Sequence, residues 1–317
     1  MNLLSAIYGS IVRARNQRYD HGRVPVRKLQ GAVVSIGNIA VGGAGKTPFL
    51  IALGELLKQR GIVFDVLSRG YGRQTAGVAL VDAEGSPREF GDEPLLIARK
   101  LGVPVIVGED RYAAGQLAEQ KFGPQLHLLD DGFQHRQLAR DFDIVLLTPT
   151  DQNDSLLPGG RLREPLTSLS RADAVVLTND APAEGLPISQ QHVWRVRREI
   201  VAPATREPCF AFCGIARPKN FFDQLRAAGV NVVGTRSFRD HYPFYDDDNV
   251  IRKLIGLRKK SGAAAFVTTE KDAVNLGRHL AALLPLHVVP LKMQLENAEG
   301  VVDTLLARIE ARNRSLA

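Results

Sequence analysis

The chain of 317 residues contains only two cysteines, Cys209 and Cys213. Two cysteines cannot build a disulfide framework, and they are too few for a cysteine cage around a metal ion. They stand in the segment Cys-Phe-Ala-Phe-Cys, which is typical of a buried strand with both thiols on one face. The sequence therefore favours core cysteines in a protein of a reducing compartment.

The sequence also lacks an apolar run of 18 residues, so no membrane-spanning segment is predicted. A signal peptide is not predicted either, because the basic residues near the N-terminus follow the apolar ones instead of preceding them. The formal net charge is +7, an excess too moderate to indicate binding to nucleic acid. Residues 1–30 hold six basic side chains and one acid, so +5 of this charge lies there.

The apolar residues of this basic N-terminal segment recur at helical spacing. They fall on one face of a predicted helix: Leu3, Leu4, Ile7, Tyr8, Ile11 and Val12. Such a stripe beside arginines fits a helix that lies on an anionic membrane surface. It fits equally well a helix that docks on the protein's own core, and the pattern alone leaves both possibilities open.

Strand and helix patterns alternate along the rest of the chain. This alternation predicts an α/β fold of the P-loop NTPase type, with a doubly wound, mostly parallel sheet and a second, smaller α/β domain joined by a short strand linker. A segment rich in Asp, Pro and Gly at 180–187 separates the two halves. The predicted units are an amphipathic, membrane-associating helix at 1–22, a P-loop core domain at 23–190, a strand linker at 191–204, a second α/β domain at 205–292 and a C-terminal helix at 293–317.

The strongest motif is Ala40-Val-Gly-Gly-Ala-Gly-Lys-Thr47, which follows a predicted strand and opens a predicted helix. This is the context of a phosphate-binding loop, in which backbone N–H groups and the helix N-terminus hold phosphate. Lys46 is expected to reach the β- and γ-phosphates, and the Thr47 hydroxyl to bind Mg²⁺. The nucleotide-binding residues are thus predicted to be Ala40, Val41, Gly42, Gly43, Ala44, Gly45, Lys46 and Thr47.

Two acids, Asp130 and Asp131, end the apolar strand that begins at Leu126. A P-loop enzyme carries its second Mg²⁺ carboxylate at this place, so both are predicted metal ligands, although paired aspartates can also merely cap a loop. A guanine-specific site would need Asn/Thr-Lys-x-Asp after a later strand. Thr178-Asn-Asp lacks the lysine and Thr269-Glu-Lys-Asp is one residue too short, so ATP is the predicted nucleotide.

Further motifs, taken together and in order, resemble one family over essentially the whole chain. They are Ser35 to Pro48, Ser68-Arg-Gly-Tyr-Gly-Arg73, Gly91-Asp-Glu-Pro94, Asp130-Asp-Gly-Phe-Gln-His135, Leu162-Arg-Glu-Pro-Leu166 and Asp240-His-Tyr242. The chain resembles the tetraacyldisaccharide 4′-kinase family of lipid A biosynthesis. The resemblance implies an ATP- and Mg²⁺-dependent lipid kinase that phosphorylates the 4′-hydroxyl of tetraacyldisaccharide 1-phosphate to form lipid IVA. It also implies a peripheral location at the cytoplasmic face of the bacterial inner membrane.

The same resemblance assigns catalytic residues. Asp92 matches the family's catalytic aspartate and is expected to accept the proton of the acceptor hydroxyl, while the alternative role of a helix N-cap is compatible with it. His241 is the best match for the histidine paired with that base. With Lys46, the remaining catalytic residues are expected to be Arg111 and Arg163, because a guanidinium can grip phosphate in bidentate fashion.

The acceptor side of the site is expected at Arg69, Tyr71, Arg73 and His135, which lie just beyond the carboxyl ends of strands. A P-loop switch or metallochaperone without a small-molecule acceptor is the main alternative, and a non-catalytic peripheral membrane protein is a third. A switch or metallochaperone would carry an additional metal-binding cluster or a guanine motif. A non-catalytic membrane protein need not keep Lys46 or Thr47. The sequence indicates no obligate protein partner.

Overall fold

The computed structural model describes residues 3–178 and 181–316. Asn179 and Asp180, in the segment tested above for a guanine motif and at the start of the predicted break between the halves, lie outside the described residues. So do Met1 and Asn2 of the first predicted helix and Ala317 of the last one.

Within the described residues the strands form two sheets. The strands of the larger sheet are β1 (Ala32–Asn38), β2 (Phe64–Ser68), β3 (Ala79–Leu80), β4 (Val105–Val107), β5 (Leu126–Asp130), β6 (Phe142–Leu147), β7 (Ala174–Thr178), β8 (His192–Ile200) and β13 (Leu291–Leu295). Their order is β13-β8-β7-β6-β1-β5-β2-β4-β3. Neighbours run parallel except at the two edges, β13 with β8 and β3 with β4. The prediction of a doubly wound, mostly parallel sheet is confirmed.

The smaller sheet is entirely parallel. It consists of β9 (Cys209–Cys213), β10 (Val232–Ser237), β11 (Ala265–Thr269) and β12 (Leu286–Val289), in the order β10-β9-β11-β12. Every residue of β9 is buried, including both cysteines, as the apolar Cys-Phe-Ala-Phe-Cys segment predicts. The second, smaller α/β unit is therefore also confirmed.

The helices lie between these strands and at both ends of the described chain. They are α1 (Leu3–Asp20), α2 (Lys46–Gln59), α3 (Pro87–Phe90), α4 (Asp92–Leu101), α5 (Arg111–Phe122), α6 (Pro149–Gln152), α7 (Pro218–Ala227), α8 (Asp248–Ser261), α9 (Glu270–Leu276) and α10 (Ala298–Leu316), with 3-10 turns at Leu166–Arg171, Phe244–Asp246 and Gly277–Leu283. Helix α9 ends at Leu276 because Gly277 has a positive φ of 50°.

The segments around the predicted domain boundaries belong to the larger sheet. The range 191–204, predicted as a linker, contains β8, which is hydrogen-bonded to β7 on one side and to β13 on the other. Strand β13 was not predicted and spans the expected boundary between 292 and 293, so the chain returns to the larger sheet before α10 begins at Ala298. The alternating pattern Leu-Lys-Met-Gln-Leu was the available signal for this half-buried strand.

Helix α1 docks through Ser5, Tyr8 and Gly9, and most of its apolar stripe stays outside the contact. Ser5 and Gly9 are buried, and a side chain at Gly9 would collide with Leu156. The Ser5 hydroxyl donates to the Leu156 carbonyl at 2.9 Å, and the Tyr8 hydroxyl donates to the Arg163 carbonyl at 3.0 Å. Four members of the stripe are left between 50% and 74% exposed: Leu3, Leu4, Ile7 and Ile11. Among the described residues, no helix is both long and apolar enough to cross a bilayer.

Candidate active site

A cavity of about 1390 Å³ lies where the carboxyl ends of both sheets face each other. Parallel strands place their following loops at one edge, which is where open α/β sheets bind ligands. Its lining includes the loops after β1, β2, β5 and β6 of the larger sheet and after β9, β10 and β11 of the smaller one, together with parts of α2, α7, β8 and β13. The two sheets therefore share one cavity.

The predicted phosphate-binding loop lines this cavity in full, from Ala40 to Thr47. Gly45, immediately before α2, has a φ of 87°, and a side chain there would meet the terminal methyl of Met293. The first turn of α2 contains no acid, so the positive end of its dipole is not neutralised locally. Lys46 begins the helix, and its Nζ lies 3.3 Å from Asn38 Oδ1 and 3.5 Å from Asp131 Oδ1.

Asp131 lies between two of the cations predicted to act on phosphate. Arg163 binds it in bidentate fashion, with Nη2 at 2.8 Å from Oδ1 and Nη1 at 3.0 Å from Oδ2. Burial would raise the pKa of Asp131, but Lys46 and Arg163 lower it far below its ordinary value. The carboxylate is therefore ionised, and it holds Lys46 and Arg163 together at the mouth of the phosphate-binding loop.

Asp130, one residue earlier, has the opposite electrostatic environment. Ser68 Oγ donates to its Oδ2 at 2.9 Å, whereas Oδ1 is buried and has no hydrogen-bond partner in the described part of the chain. Burial and the carboxylates of Glu93 and Asp131 raise the pKa of Asp130 to about 7. A buried carboxylate oxygen without a donor, beside further oxygen ligands, fits a hard divalent cation such as Mg²⁺.

Asp92 and His241, which are 149 residues apart, meet in a hydrogen bond across the two sheets. Nδ1 of His241 lies 2.9 Å from Oδ1 of Asp92, and Asn275 Nδ2 donates to Oδ2 at 2.7 Å. Helix α4 begins at Asp92, not at Glu93 as the N-cap prediction assumed, because Gly91 with φ 88° takes the position before it. A side chain at Gly91 would approach the Tyr71 carbonyl to 2.8 Å. Asp92 Oδ1 still accepts from the Glu93 N–H, so it also stabilises the first turn of α4.

The charges around this pair keep Asp92 ionised. Burial would raise the pKa of Asp92, but Lys271 and His241 together lower it below its ordinary value. Burial would lower the pKa of His241, and the hydrogen bond and charge of Asp92 outweigh that effect and raise it. A carboxylate that is ionised and fixed in position is what a general base requires.

Arg111 and His135 line the same cavity as Asp130. Arg111 is buried and donates from Nη1 to the carbonyls of Gly108 and Glu109, while its Nε has no partner among the described residues. Burial lowers the pKa of Arg111, with Asp130 acting in the opposite direction. Burial and the neighbouring cations Arg111 and Arg140 lower the pKa of His135 to about 4, so its imidazole is neutral at neutral pH.

The three residues predicted from the Ser-Arg-Gly-Tyr-Gly-Arg motif separate in the structure. Arg69 and Tyr71 are exposed and line the cavity, and the Tyr71 ring contacts the His241 ring edge-on at a centroid distance of 5.0 Å. Arg73 does not line the cavity. Its guanidinium donates back to the Gly77 carbonyl and folds over its own loop.

Comparison with known proteins gives one consistent result. Residues 1–310 match the family described as tetraacyldisaccharide-1-P 4'-kinase, LpxK. The chain belongs to this family. A relative named tetraacyldisaccharide 4'-kinase from Koribacter versatilis (strain Ellin345) is 50% identical over 322 residues, covering 98% of this chain and 99% of the relative. One of the same name from Geobacter metallireducens (strain ATCC 53774 / DSM 7210 / GS-15) is 38% identical, covering 96% and 97%.

A solved structure agrees with these relatives. It is described as the "apo" form of LpxK from Aquifex aeolicus in complex with ATP, and it is similar to this chain with a TM-score of 0.77 and 35% identity. The likeness covers 96% of this chain and 97% of that one. The resemblance inferred from the motifs is therefore confirmed.

Sequence reasoning missed several polar residues that contact the predicted ones. Asn38, at the end of β1, accepts hydrogen bonds from both Lys46 and Arg163. Lys271 and Asn275 reach the Asp92–His241 pair from α9, where their i, i+4 spacing places them on one helix face. The available signal was their position after β11, a strand that ends at the cavity like β5. Lys271 had been considered only as part of a failed guanine motif.

Proposed function

We propose that this chain transfers the γ-phosphate of ATP to the 4′-hydroxyl of tetraacyldisaccharide 1-phosphate and so forms lipid IVA. One observation carries the proposal: a phosphate-binding loop and the hydrogen-bonded Asp92–His241 pair face the same cavity. The bond between the β–γ bridging oxygen and the γ-phosphorus breaks, a bond from the 4′-oxygen forms, and the hydroxyl proton passes to Asp92. The electron pair of the broken bond stays on the β-phosphate oxygen, and ADP leaves.

The nucleotide side of the reaction belongs to the larger sheet. The backbone of residues 40–45 and the N-terminus of α2 hold the phosphates, and Lys46 offsets their charge. Thr47, Asp130 and Asp131 are the residues that would hold Mg²⁺. When bound, this ion neutralises charge on the transferred phosphoryl group. Arg163, which is bonded to Asp131, and Arg111, which interacts electrostatically with Asp130, are proposed to stabilise the negative charge of the phosphoryl group.

The acceptor side combines residues of both sheets. Asp92 is proposed as the general base, and His241 as the residue that holds it and tunes its basicity. Arg69 and Tyr71, which are exposed, and His135, which is half-buried, line the cavity and are proposed to bind the disaccharide. Arg73 is proposed to stabilise the loop after β2, because its guanidinium donates to the Gly77 carbonyl. Residues 23–190, the β8 segment (191–204) and residues 205–292 are proposed as the units that enclose the substrates.

We further propose that α1 holds the protein on the cytoplasmic face of the inner membrane, on anionic lipid, with no nucleic acid and no obligate protein partner. Two features support this role. Leu3, Leu4, Ile7 and Ile11 of the apolar stripe are exposed, and Arg18 of the same helix is exposed as well. The docked face bonds the loop that carries Arg163, and Arg15 of the same helix lines the cavity. A lipid held beside α1 is therefore next to the site.

Replacing both Leu4 and Ile7 by aspartate is expected to release the protein from membranes. Each exposed side chain contributes on the order of 1.5–3 kcal/mol when transferred from water to an apolar phase, and a charge in its place opposes insertion. Co-sedimentation with vesicles that contain anionic lipid measures the effect. The bound fraction should fall at least about tenfold, since the loss of two such contacts exceeds 1.4 kcal/mol.

The control for this variant is Val63→Asp, at a residue 54% exposed and outside α1. It replaces one exposed apolar side chain by aspartate, as each half of the double variant does, so it should sediment like the unmodified protein. If the double variant sediments as before, α1 is not the membrane contact.

The catalytic proposal is tested with purified protein, Mg²⁺-ATP and detergent-dispersed tetraacyldisaccharide 1-phosphate. The expected product is a lipid that carries a second phosphate, detected by mass spectrometry. A protein that binds ATP but yields no such lipid at any pH would refute the kinase function and return the P-loop switch as the better explanation.

A further inference from the structure

Lys271 lies at the junction of the two sheets, beside the Asp92–His241 pair, and is mostly buried. It is the second residue of α9, which follows β11 of the smaller sheet. Its Nζ lies 3.0 Å from His241 Nε2, 3.1 Å from Asp240 Oδ1 and 3.3 Å from Glu93 Oε1. Asp92 Oδ2 is also near, at 4.0 Å. One ammonium thus contacts a helix of the larger sheet and a loop of the smaller one.

The contact between Lys271 and His241 fixes the tautomer of the histidine. A lysine ammonium has three donors and no acceptor, so its 3.0 Å contact with His241 Nε2 requires the lone pair of that nitrogen. A neutral imidazole then carries its proton on Nδ1, and Nδ1 is the atom that faces Asp92. The hydrogen bond to the proposed base therefore runs from histidine to carboxylate.

Lys271 is held as a cation by three carboxylates. Burial would lower its pKa, but Glu93, Asp92 and Asp240 raise it. A second proton on His241 would be placed on Nε2, where it would meet this ammonium. Lys271 therefore opposes the cationic form of His241 and lowers the pKa of Asp92 at the same time.

Other titratable groups also face the cluster from the elements packed against it. Besides Asp92 and Glu93 of α4 and Asp240 of the loop after β10, they are Asp272 of α9, Tyr71 after β2 and Tyr245 of the Phe244–Asp246 turn. Burial raises the pKa of Asp272 to about 6, and its hydrogen bonds from Thr269 and the Gly214 N–H act against this rise. Among these described groups Lys271 is the cation in contact with the pair.

We propose that Lys271 is a positioning residue for phosphoryl transfer: its ammonium accepts no proton itself but donates to Nε2 of His241 and so keeps Nδ1–H directed at an ionised Asp92. This inference rests on the proposed function, because it assigns Lys271 a role in that reaction. It acts through His241 and Asp92 and not on the substrates.

The test is Lys271→Met, which keeps the side-chain length and removes the charge. Without the ammonium, Asp92 takes up a proton more readily and His241 becomes cationic at higher pH, so both effects move the acid limb of the kcat profile upward. A cation this close lowers the pKa of a carboxylate by about one to two units. At a fixed pH below that limb, kcat of the variant should be about tenfold lower for each unit by which the limb moves. It should recover at higher pH. KM for ATP should stay within about twofold, because Lys271 contacts no residue of the phosphate-binding loop.

Two further variants separate this role from a structural one. Lys271→Arg keeps the charge and the donors and should leave the acid limb near its original position. Lys100→Met breaks the ion pair between Lys100 and Glu270 across the same two helices, α4 and α9, without touching Asp92 or His241. It should leave the pH profile unchanged. A limb that moves equally in Lys100→Met and Lys271→Met would overturn the proposal, as would a limb that does not move in Lys271→Met.

A spectroscopic readout makes the test independent of activity. The ring ¹⁵N signals of His241, assigned with His241→Gln, should show a protonated Nδ1 and a bare Nε2 in the unmodified protein, and a mobile or cationic ring in Lys271→Met. A neutral ring that carries its proton on Nε2 in the unmodified protein would overturn the inference even if the variant did not fold. If the unmodified protein makes no phosphorylated lipid, the proposed function fails, and the ring signals still decide the tautomer.

Discussion

Asp92→Asn should lower kcat by about a hundred- to ten-thousandfold, the usual contribution of a positioned general base. Asparagine keeps the shape of the side chain and can still accept the Glu93 N–H, so the start of α4 is preserved. It cannot take the proton of the acceptor hydroxyl. ATP affinity, measured by isothermal titration calorimetry, should stay within about twofold because Asp92 lies outside the phosphate-binding loop.

The matched control is Asp110→Asn, at the N-cap of the neighbouring helix α5. Asp110 accepts backbone N–H groups of Tyr112 and Ala113, so it has the capping role without contact to His241. Its variant should retain most of the activity. If Asp92→Asn instead abolished ATP binding while kcat at saturating ATP stayed high, Asp92 would be a nucleotide or structural residue and not the base.

The prediction of the phosphate-binding loop and the metal-site acids from the sequence rested on local pattern. A strand, a glycine-rich turn and a helix beginning at Lys46 follow one another within 15 residues, and parallel pairing of β1 with β5 brings Asp130 to the same edge. No such pattern links Asp92 to His241. Their pairing depends on packing α4 against the loop after β10, and it was inferred only through family resemblance.

The different pKa values of Asp130 and Asp131 could not be predicted from the sequence. Asp130 and Asp131 are consecutive and were predicted as equivalent ligands, yet the pKa of one is raised and that of the other is lowered. Asp131, whose φ is 49°, is held by Lys46 and Arg163, whereas Asp130 is buried near the carboxylates of Glu93 and Asp131. The two consecutive residues therefore lie in different environments, and the sequence does not reveal this difference.

The number of N-terminal cations that can contact a membrane could not be predicted from the sequence either. Its charge of +5 suggested a contact with anionic lipid, but not all of these cations are available for it. Arg27 pairs with Asp110, and Arg15 donates to the Gln134 carbonyl. Arg13, Arg18 and Arg23 are exposed, so a smaller set of charges than the count suggests can reach a membrane. The exposed apolar stripe of α1 therefore carries more of the membrane proposal than the charge does.

Lys46→Met is the second variant with a very large expected effect, and it should differ from Asp92→Asn in kind. Lys46 is the cation at the start of α2 that is proposed to reach the β- and γ-phosphates. Removing one preorganised donor to charge that develops in a transition state costs about a hundred- to a thousandfold in kcat. Because Lys46 also binds the ground-state phosphates, kcat/KM should fall further and ATP affinity should fall with it.

The structure adds a second reason to expect this loss. Lys46 and Arg163 share the carboxylate of Asp131, so without Lys46 the Arg163–Asp131 pair closes on itself and less positive charge remains for phosphate. Lys121→Met, at an exposed lysine of α5, removes the same charge from the surface and should leave both parameters unchanged. Normal ATP affinity in Lys46→Met by calorimetry would place the nucleotide elsewhere in the cavity. Loss of affinity in Lys46→Met with its retention in Asp92→Asn would separate the residues that bind the nucleotide from the residue that takes the proton of the acceptor.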